Sequence, residues 1–92
     1  MARIAKKPEE RRRELIATAQ QLFYTKGYEG TSVSDIVKAV GVAQGTFYYY
    51  FDSKQGILEA VAEELIAEYL VFMQAIVADQ TLDAIAKWNQ MV

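Results

Sequence analysis

The sequence predicts an all-α fold in which three helices form a small bundle and a longer fourth helix follows. Apolar residues recur three and four positions apart along most of the 92 residues, as they do on one face of a helix. Gly27 and Gly41 stand where two of these series end, and the single proline, Pro8, opens the first of them. The chain is thereby divided into a bundle over residues 1–54 and, over residues 55–92, a linking helix with the start of a further helical domain.

The composition excludes several classes of protein. With 52% hydrophobic and 24% charged residues, the chain resembles one globular domain. It contains no cysteine and no histidine, which excludes a disulfide scaffold and removes the usual general base and metal ligands. We therefore expect no catalytic residue, metal or cofactor, and a reducing, cytoplasmic location. The longest apolar run is interrupted by Glu68 and Gln74, so we expect neither a signal peptide nor a membrane span.

The formal charge of −2 hides a division along the chain. Residues 1–54 carry nine of the ten lysines and arginines and a net charge of +3, whereas residues 55–92 carry −5. The basic half favours contact with a polyanion and the acidic half a different task. Taken singly, each of the three arginines at positions 11–13 fits a solvated helix surface better than a phosphate contact.

Helix signals place the first three elements. The first helix is predicted over residues 8–26 and the second over residues 33–40. Ser32 fits the N-cap of the second helix, and Asp35 has the spacing of its capping-box partner. Only three residues, starting with Gly41, separate the second helix from a third, predicted over residues 44–51. Two helices joined by so short a turn must cross steeply, which is the geometry of a helix-turn-helix.

The third helix contains five consecutive aromatic rings. Phe47 and Phe51, four positions apart, share a face and are predicted to pack into the core. Tyr48 and Tyr49 fall on the remaining surface and Tyr50 at the boundary, so a core accounts for only two or three of the five rings. A tyrosine at a polyanion surface packs against sugar and donates a hydrogen bond to phosphate.

Polar residues flank these rings in a pattern that suits DNA. Gln44 can pair with adenine in bidentate fashion, and Thr46 offers a base edge both a hydroxyl and a methyl group. Gly45 leaves the backbone room to approach the floor of the major groove. Lys54, in the first turn of the fourth helix, is unfavourable for the helix dipole but favourable for a phosphate.

Ser53 is predicted to cap a long fourth helix. Its apolar residues follow one face at first and both faces from Leu65 onward, which predicts that other structure surrounds the later turns. The positions predicted to form the first face are Leu58, Val61, Leu65, Tyr69, Phe72, Met73 and Ile76. A further amphipathic helix is predicted with Thr81 as a possible cap. Since no stop signal closes it, we expect the chain to be a fragment of a longer protein.

These residues together resemble the N-terminal DNA-binding domain of the tetracycline-repressor (TetR) family of bacterial transcriptional regulators. The resemblance runs from about Arg12 to Val61. Its motifs are Ala19, Phe23 and Gly27-Tyr28, Thr31-Ser32-Val33, Asp35-Ile36, Gly41-Val42, Gly45-Thr46-Phe47-Tyr48, Phe51, and Ser53-Lys54. Two positions depart from the pattern: Ala43 stands where serine is common, and Tyr50 where histidine is common.

The resemblance implies a homeodomain-like helix-turn-helix whose third helix enters the major groove of a double-stranded DNA operator. It implies base reading by Gln44, Gly45 and Thr46. It also implies contacts to the DNA backbone by Ser32, Tyr48, Tyr49 and Lys54. The partners implied are a second copy of the protein, forming a homodimer, and a small-molecule inducer bound by a C-terminal domain that lies beyond this chain. A palindromic operator and a ligand-released repressor follow from the same resemblance.

Two other functions compete with this one. The apolar residues after Leu65 would suit a helical interaction or dimerisation fragment without specific DNA binding, but such a fragment has no need of the polar and aromatic face on the third helix. An enzyme would have to use Glu59, Glu63 and Glu64, which without histidine or cysteine are far more typical of surface charge. We therefore predict a DNA-binding regulator and no enzymatic activity.

Overall fold

The computed structural model describes residues 7–90, with the side chains of residues 7–88. Within these residues the chain forms four helices, α1 (Pro8–Lys26), α2 (Val33–Val40), α3 (Gln44–Tyr50) and α4 (Lys54–Gln90). The predicted all-α fold is confirmed. The chain divides into two compact units between Ala62 and Glu63. The first turns of α4 therefore belong to the same unit as α1, α2 and α3. The sequence placed this division earlier, after residue 54.

The residues at both ends of α1 are of types that favour a helix terminus. Pro8 occupies its start and Glu9 and Glu10 its first turn, where acidic groups are stabilised by the helix dipole. The backbone N–H of Gly27 closes its last turn on the carbonyl oxygen of Phe23 at 2.9 Å. Between these ends, Leu15, Ile16 and Ala19 are buried, so one face of α1 packs into the core.

Helix α2 is held at both ends by local hydrogen bonds. The Ser32 hydroxyl accepts from the backbone N–H of Asp35 at 3.0 Å, and the Asp35 carboxylate accepts from the backbone N–H of Ser32 at 2.9 Å. The predicted capping box is therefore confirmed. At the other end Gly41 adopts φ 87° and ψ 34°, a left-handed conformation that costs glycine little and turns the chain toward α3.

The core of the first unit receives side chains from all four helices. Its buried residues are Leu15, Ile16, Ala19, Ile36, Val37, Phe47, Phe51, Ile57, Ala60 and Val61. The predicted burial of Phe47 and Phe51 is confirmed, with their ring centroids 5.7 Å apart. In α4 the buried face starts with Ile57, whereas the predicted Leu58 is only half-buried. The core therefore includes the start of α4.

Helix α4 continues without a break through the position where a new helix was predicted. Ser53 does cap α4, as predicted, because its hydroxyl accepts from the backbone N–H of Gly56 at 3.0 Å. The prediction that a further helix starts near Thr81 is wrong. Neither glycine nor proline interrupts this region, and the Thr81 hydroxyl donates to the carbonyl oxygen of Val77 at 2.8 Å, a bond that a mid-helix threonine can make. None of the helices within residues 7–90 combines the length and apolar character needed to cross a membrane.

Thr31 is a buried polar residue that joins the end of α1 to the loop before α2. Its side chain is buried, and its hydroxyl lies 3.2 Å from the carbonyl oxygen of Leu22 and 2.8 Å from that of Gly27. Its backbone N–H donates to the carbonyl oxygen of Tyr28 at 3.2 Å. A buried hydroxyl with acceptors on both sides fixes the end of α1 close to the start of α2.

Thr31→Val should lower the free energy of unfolding by about 1–3 kcal/mol. The valine has a similar shape but leaves the carbonyl oxygens of Leu22 and Gly27 without the hydroxyl donor. Urea denaturation of the purified protein measures the loss. Thr25→Val is the matched control, because the Thr25 hydroxyl also bonds α1 carbonyl oxygens but is exposed. It should change the stability by less than about 0.5 kcal/mol. Equal losses in both variants would contradict a special role for the buried bond.

Asp35 should make the stability depend on pH in the acid range. The backbone N–H of Ser32 and then the Lys26 ammonium lower the pKa of Asp35 from 3.8 to about 2. Since the folded pKa is the lower one, this stabilisation is complete above the unfolded value and is lost as the pH falls toward about 2. The advantage in unfolding free energy of the native protein over Asp35→Asn should therefore shrink between these pH values.

Lys26→Gln provides the comparison for this measurement. It removes the ion pair, in which the Lys26 ammonium lies 2.9 Å from Asp35, but leaves the larger cause of the pKa shift in place. Most of the pH dependence should survive in this variant. A difference between native protein and Asp35→Asn that stays constant with pH would show that the charge of Asp35 does not contribute.

Candidate nucleic-acid interface

Helix α3 presents two different faces. Phe47 is fully buried, whereas Tyr48 is 51% exposed and Tyr49 is 76% exposed. Gln44 and Gly45 are exposed at the start of the helix, and Thr46 is half-buried. One short helix thus brings together five of the residues predicted to contact DNA, on the side that the core does not use.

Neither packing nor backbone conformation within the chain requires glycine at position 45. A Cβ built at this position meets nothing within 4 Å, and the positive φ angles of the described glycines occur only at Gly27 and Gly41. Glycine inside a helix costs about 0.5–1 kcal/mol relative to alanine. Packing and backbone geometry therefore leave the absence of a side chain at Gly45 unexplained, and a close approach from outside would account for it.

The exposed tyrosines are held by neighbouring rings. Tyr48 meets Phe47 edge to face, with centroids 5.2 Å apart and an interplanar angle of 82°. Tyr49 meets Tyr50 in the same way at 4.8 Å and 86°. Tyr50, whose place the sequence left at the boundary, is half-buried and packs against the core. Aromatic pairs of this geometry are favourable, so the two exposed rings have partners that restrict their positions.

Ser32 lies at the start of α2 and is exposed. Its hydroxyl oxygen accepts the capping hydrogen bond from Asp35, and the hydroxyl hydrogen stays available for an acceptor. A helix N-terminus also favours an anion, because its first N–H groups lack partners within the helix. The position is therefore compatible with the predicted phosphate contact.

Lys54 lies at the first residue of α4 and has a partner that the sequence did not predict. Its ammonium donates to the carbonyl oxygen of Tyr28 at 2.9 Å and lies 4.2 Å from the centroid of the Tyr28 ring. The two residues are 26 positions apart, so no local spacing pattern could have paired them. Lys54 is half-buried and retains further N–H donors.

Several other cations of the bundle also have internal contacts. Arg11 forms an ion pair with Glu14 at 2.6 Å, and Lys26 forms one with Asp35. The guanidinium of Arg12 lies 5.3 Å from the centroid of the Phe51 ring. For Arg11 and Arg12, these contacts fit the surface role that the sequence favoured, and α3 itself contains no charged residue.

The seven predicted site residues all lie in the first unit. Five are on α3, while Ser32 and Lys54 stand at the starts of α2 and α4. None of the polar members is fully buried, and hydroxyl, amide and ammonium groups are all present. This set can donate to phosphate oxygens and offer hydrogen bonds to base edges, but it lacks the paired acid and base of a hydrolytic site. The contacts themselves stay predictions.

Comparison with known proteins finds similarity to bacterial transcriptional regulators. The family model described as "Bacterial regulatory proteins, tetR family" matches residues 15–61. The chain is 44% identical over 57 residues to the HTH-type transcriptional regulator YvdT of Bacillus subtilis, covering 62% of this chain and 29% of that protein. It is 46% identical over 46 residues to the biofilm operon icaADBC HTH-type negative transcriptional regulator IcaR of Staphylococcus aureus, covering 50% and 25%.

A solved structure extends the likeness to the fold. A transcriptional regulator of the TetR/AcrR family from Thermobifida fusca superposes with a TM-score of 0.69 and 39% identity. The match covers 75% of this chain and 38% of that one, so the chain spans well under half the length of these relatives. Because the family model covers half of the chain and includes all of α2 and α3, the chain belongs to the tetR family of bacterial regulatory proteins, whose members are DNA-binding regulators of transcription and not enzymes.

Proposed function

We propose that this chain is the DNA-binding part of a ligand-released repressor that binds a palindromic operator as a homodimer in the cytoplasm. The observation that carries the proposal is the outer face of α3, where Gln44, Gly45, Tyr48 and Tyr49 are exposed opposite a buried Phe47. A family that contains a negative transcriptional regulator such as IcaR supports repression.

The proposed roles follow from chemistry and position. Gln44 and Thr46 read base edges in the major groove, and Gly45 allows the backbone of α3 to approach them. Tyr48 and Tyr49 contact sugar and phosphate, and Ser32 and Lys54 bind phosphates from the starts of α2 and α4. The phosphate contacts position the protein on the duplex, and the base contacts select the sequence.

The second unit supports a homodimer and an inducer. Its segment of α4 exposes large apolar side chains on several sides, among them Leu65, Tyr69, Leu70, Phe72 and Trp88. Exposed apolar surface of this extent marks contact with other protein or with a ligand. The shallow grooves along this segment are lined by α4 residues alone, so an inducer pocket needs further elements around them.

A homodimer also explains how a ligand would release DNA. Two recognition helices fit successive major grooves when they are about 34–36 Å apart. A ligand that binds better to a dimer with another spacing shifts the population toward that state, because only differential affinity moves such an equilibrium. In this proposal α4 transmits the change, since it continues from the DNA-binding unit into the second unit.

Selection of bound duplexes from a random pool tests the proposal. The native protein should enrich one palindromic site. Gln44→Ala should lose the preference at one base pair of each half-site, by about 1–3 kcal/mol for a bidentate contact. Tyr49→Ala, the matched variant on the same helix, should weaken binding to every sequence by a similar factor.

The outcomes separate the competing functions. Equal effects of Gln44→Ala on the selected site and on random DNA would remove Gln44 from the base-reading set. If the native protein enriches no sequence, and binds all duplexes weakly, the helical interaction fragment becomes the better description. In that case the exposed apolar residues of the second unit, and not α3, would carry the function.

Gly45→Ala should separate folding from binding. The added methyl group meets no atom within 4 Å, so the variant should be more stable by about 0.5–1 kcal/mol in urea denaturation. At the same time its affinity for the selected operator should fall, because the methyl group occupies space needed at the groove floor. Unchanged or tighter operator binding would show that Gly45 does not approach DNA closely.

A further inference from the structure

Tyr28 makes two contacts with one cation. The Lys54 ammonium lies 2.9 Å from the Tyr28 carbonyl oxygen and 4.2 Å from the centroid of its ring, so the backbone and the side chain of one residue both hold it. An ammonium at this distance from a ring face is attracted by the ring quadrupole. Lys54 is thus localised within the bundle, although a surface lysine is normally free to adopt many rotamers.

Tyr28 is itself fixed by its surroundings. Its ring packs against Phe23 with centroids 5.2 Å apart, and its carbonyl oxygen also accepts from the backbone N–H of Thr31 at 3.2 Å. Thr31 directly precedes Ser32, the N-cap of α2. The same carbonyl oxygen therefore connects the start of α4, through Lys54, with the residue that leads into α2.

The interactions with Tyr28 leave Lys54 able to bind an anion. An ammonium group has three N–H donors and no acceptor. One donor is used by the Tyr28 carbonyl oxygen, and the ring face attracts the charge without accepting a strong hydrogen bond. A further donor remains at the first residue of α4, where the helix dipole also favours a negative group.

We propose that Tyr28 is a positioning residue, which holds the Lys54 ammonium in place to bind a phosphate of the DNA backbone. The inference rests on the proposed DNA-binding function. Holding the lysine before DNA arrives reduces the side-chain freedom that is given up on binding, which is the general benefit of a preorganised interaction. Tyr28 does not touch DNA in this arrangement and acts through Lys54.

The test is a double-mutant cycle on DNA affinity at several salt concentrations, with a labelled duplex of arbitrary sequence. Lys54→Met should make the negative slope of log affinity against log salt shallower by about 0.9 for each phosphate that the lysine no longer neutralises. Tyr28→Leu should weaken binding several-fold and also make this slope shallower. In the Lys54→Met background, Tyr28→Leu should have no further effect. Tyr28→Phe, which keeps the ring and the carbonyl, should bind like the native protein.

A second series keeps the shape of the side chain while weakening its π face. Phenylalanines with increasing numbers of fluorine atoms at position 28 reduce the attraction for a cation without removing the packing on Phe23. DNA affinity should fall with each fluorine added, and this trend should vanish in the Lys54→Met background. Thermal unfolding followed by circular dichroism checks that every variant is folded.

The possible results differ in what they overturn. Tighter binding by Tyr28→Leu would mean that Tyr28 withholds Lys54 from DNA. If Tyr28→Leu weakens DNA binding equally in the native protein and in the Lys54→Met background, Tyr28 has a structural role only. Either result, or a fluorinated series without a trend, overturns the inference but not the proposed function. Absence of salt-dependent DNA binding by the native protein would overturn both.

Discussion

Burial of the Phe47 ring is the constraint on which the exposed face of α3, the face proposed to bind DNA, depends. A helix of seven residues is too short to persist alone in water, and α3 lacks a side-chain hydrogen bond at its N-cap, Ala43. It also contains Gly45, which weakens it further. The fully buried Phe47, with Phe51 beside it, replaces this missing local stability by packing against the other helices. Because one face is fixed in this way, the opposite face is fixed as well.

Besides the apolar core, polar contacts connect the helices of the first unit. Thr31 ties the end of α1 to the loop before α2, and the ion pair between Lys26 and Asp35 joins the same two helices at the surface. Tyr28 then links this loop to Lys54 at the start of α4. The turn before α3 has its own hydrogen bond, from the backbone N–H of Gly41 to the end of α2. The positions proposed for phosphate binding at α2 and α4 follow from these links.

The two units of the chain have opposite kinds of surface. The large apolar side chains that the described part of the first unit exposes are tyrosines, while the second exposes Leu65, Ile66, Leu70 and many others. Exposed apolar surface of this extent marks contact with other protein or with a ligand. The net charge differs along the chain as well, because residues 1–54 are basic and residues 55–92 are acidic. A basic surface attracts a polyanion and an acidic one does not.

Local sequence patterns were sufficient to predict the features that depend on hydrogen bonds between neighbouring residues, such as helix caps. The capping box of Ser32 and Asp35, the cap at Ser53 and the glycine ending α2 are all short-range hydrogen-bond patterns, and each was predictable. The outer placement of Tyr48 and Tyr49 followed from the helical period once Phe47 and Phe51 were assigned to the core. Local signals failed at Thr81, where a residue that often caps a helix bonds back to Val77 inside one.

By itself, the sequence determined the all-α class, the helix-turn-helix and the composition of the surface on α3, because these depend on residues within a few positions of one another. The tertiary structure alone decided that Ile57 and not Leu58 is fully buried, that Thr31 is inside, and that Lys54 is held by Tyr28. Lys54 and Tyr28 are 26 positions apart, and the burial of Ile57 and Thr31 depends on packing with other parts of the first unit. Their partners are set by how the helices cross, and no periodicity within a single helix contains that information.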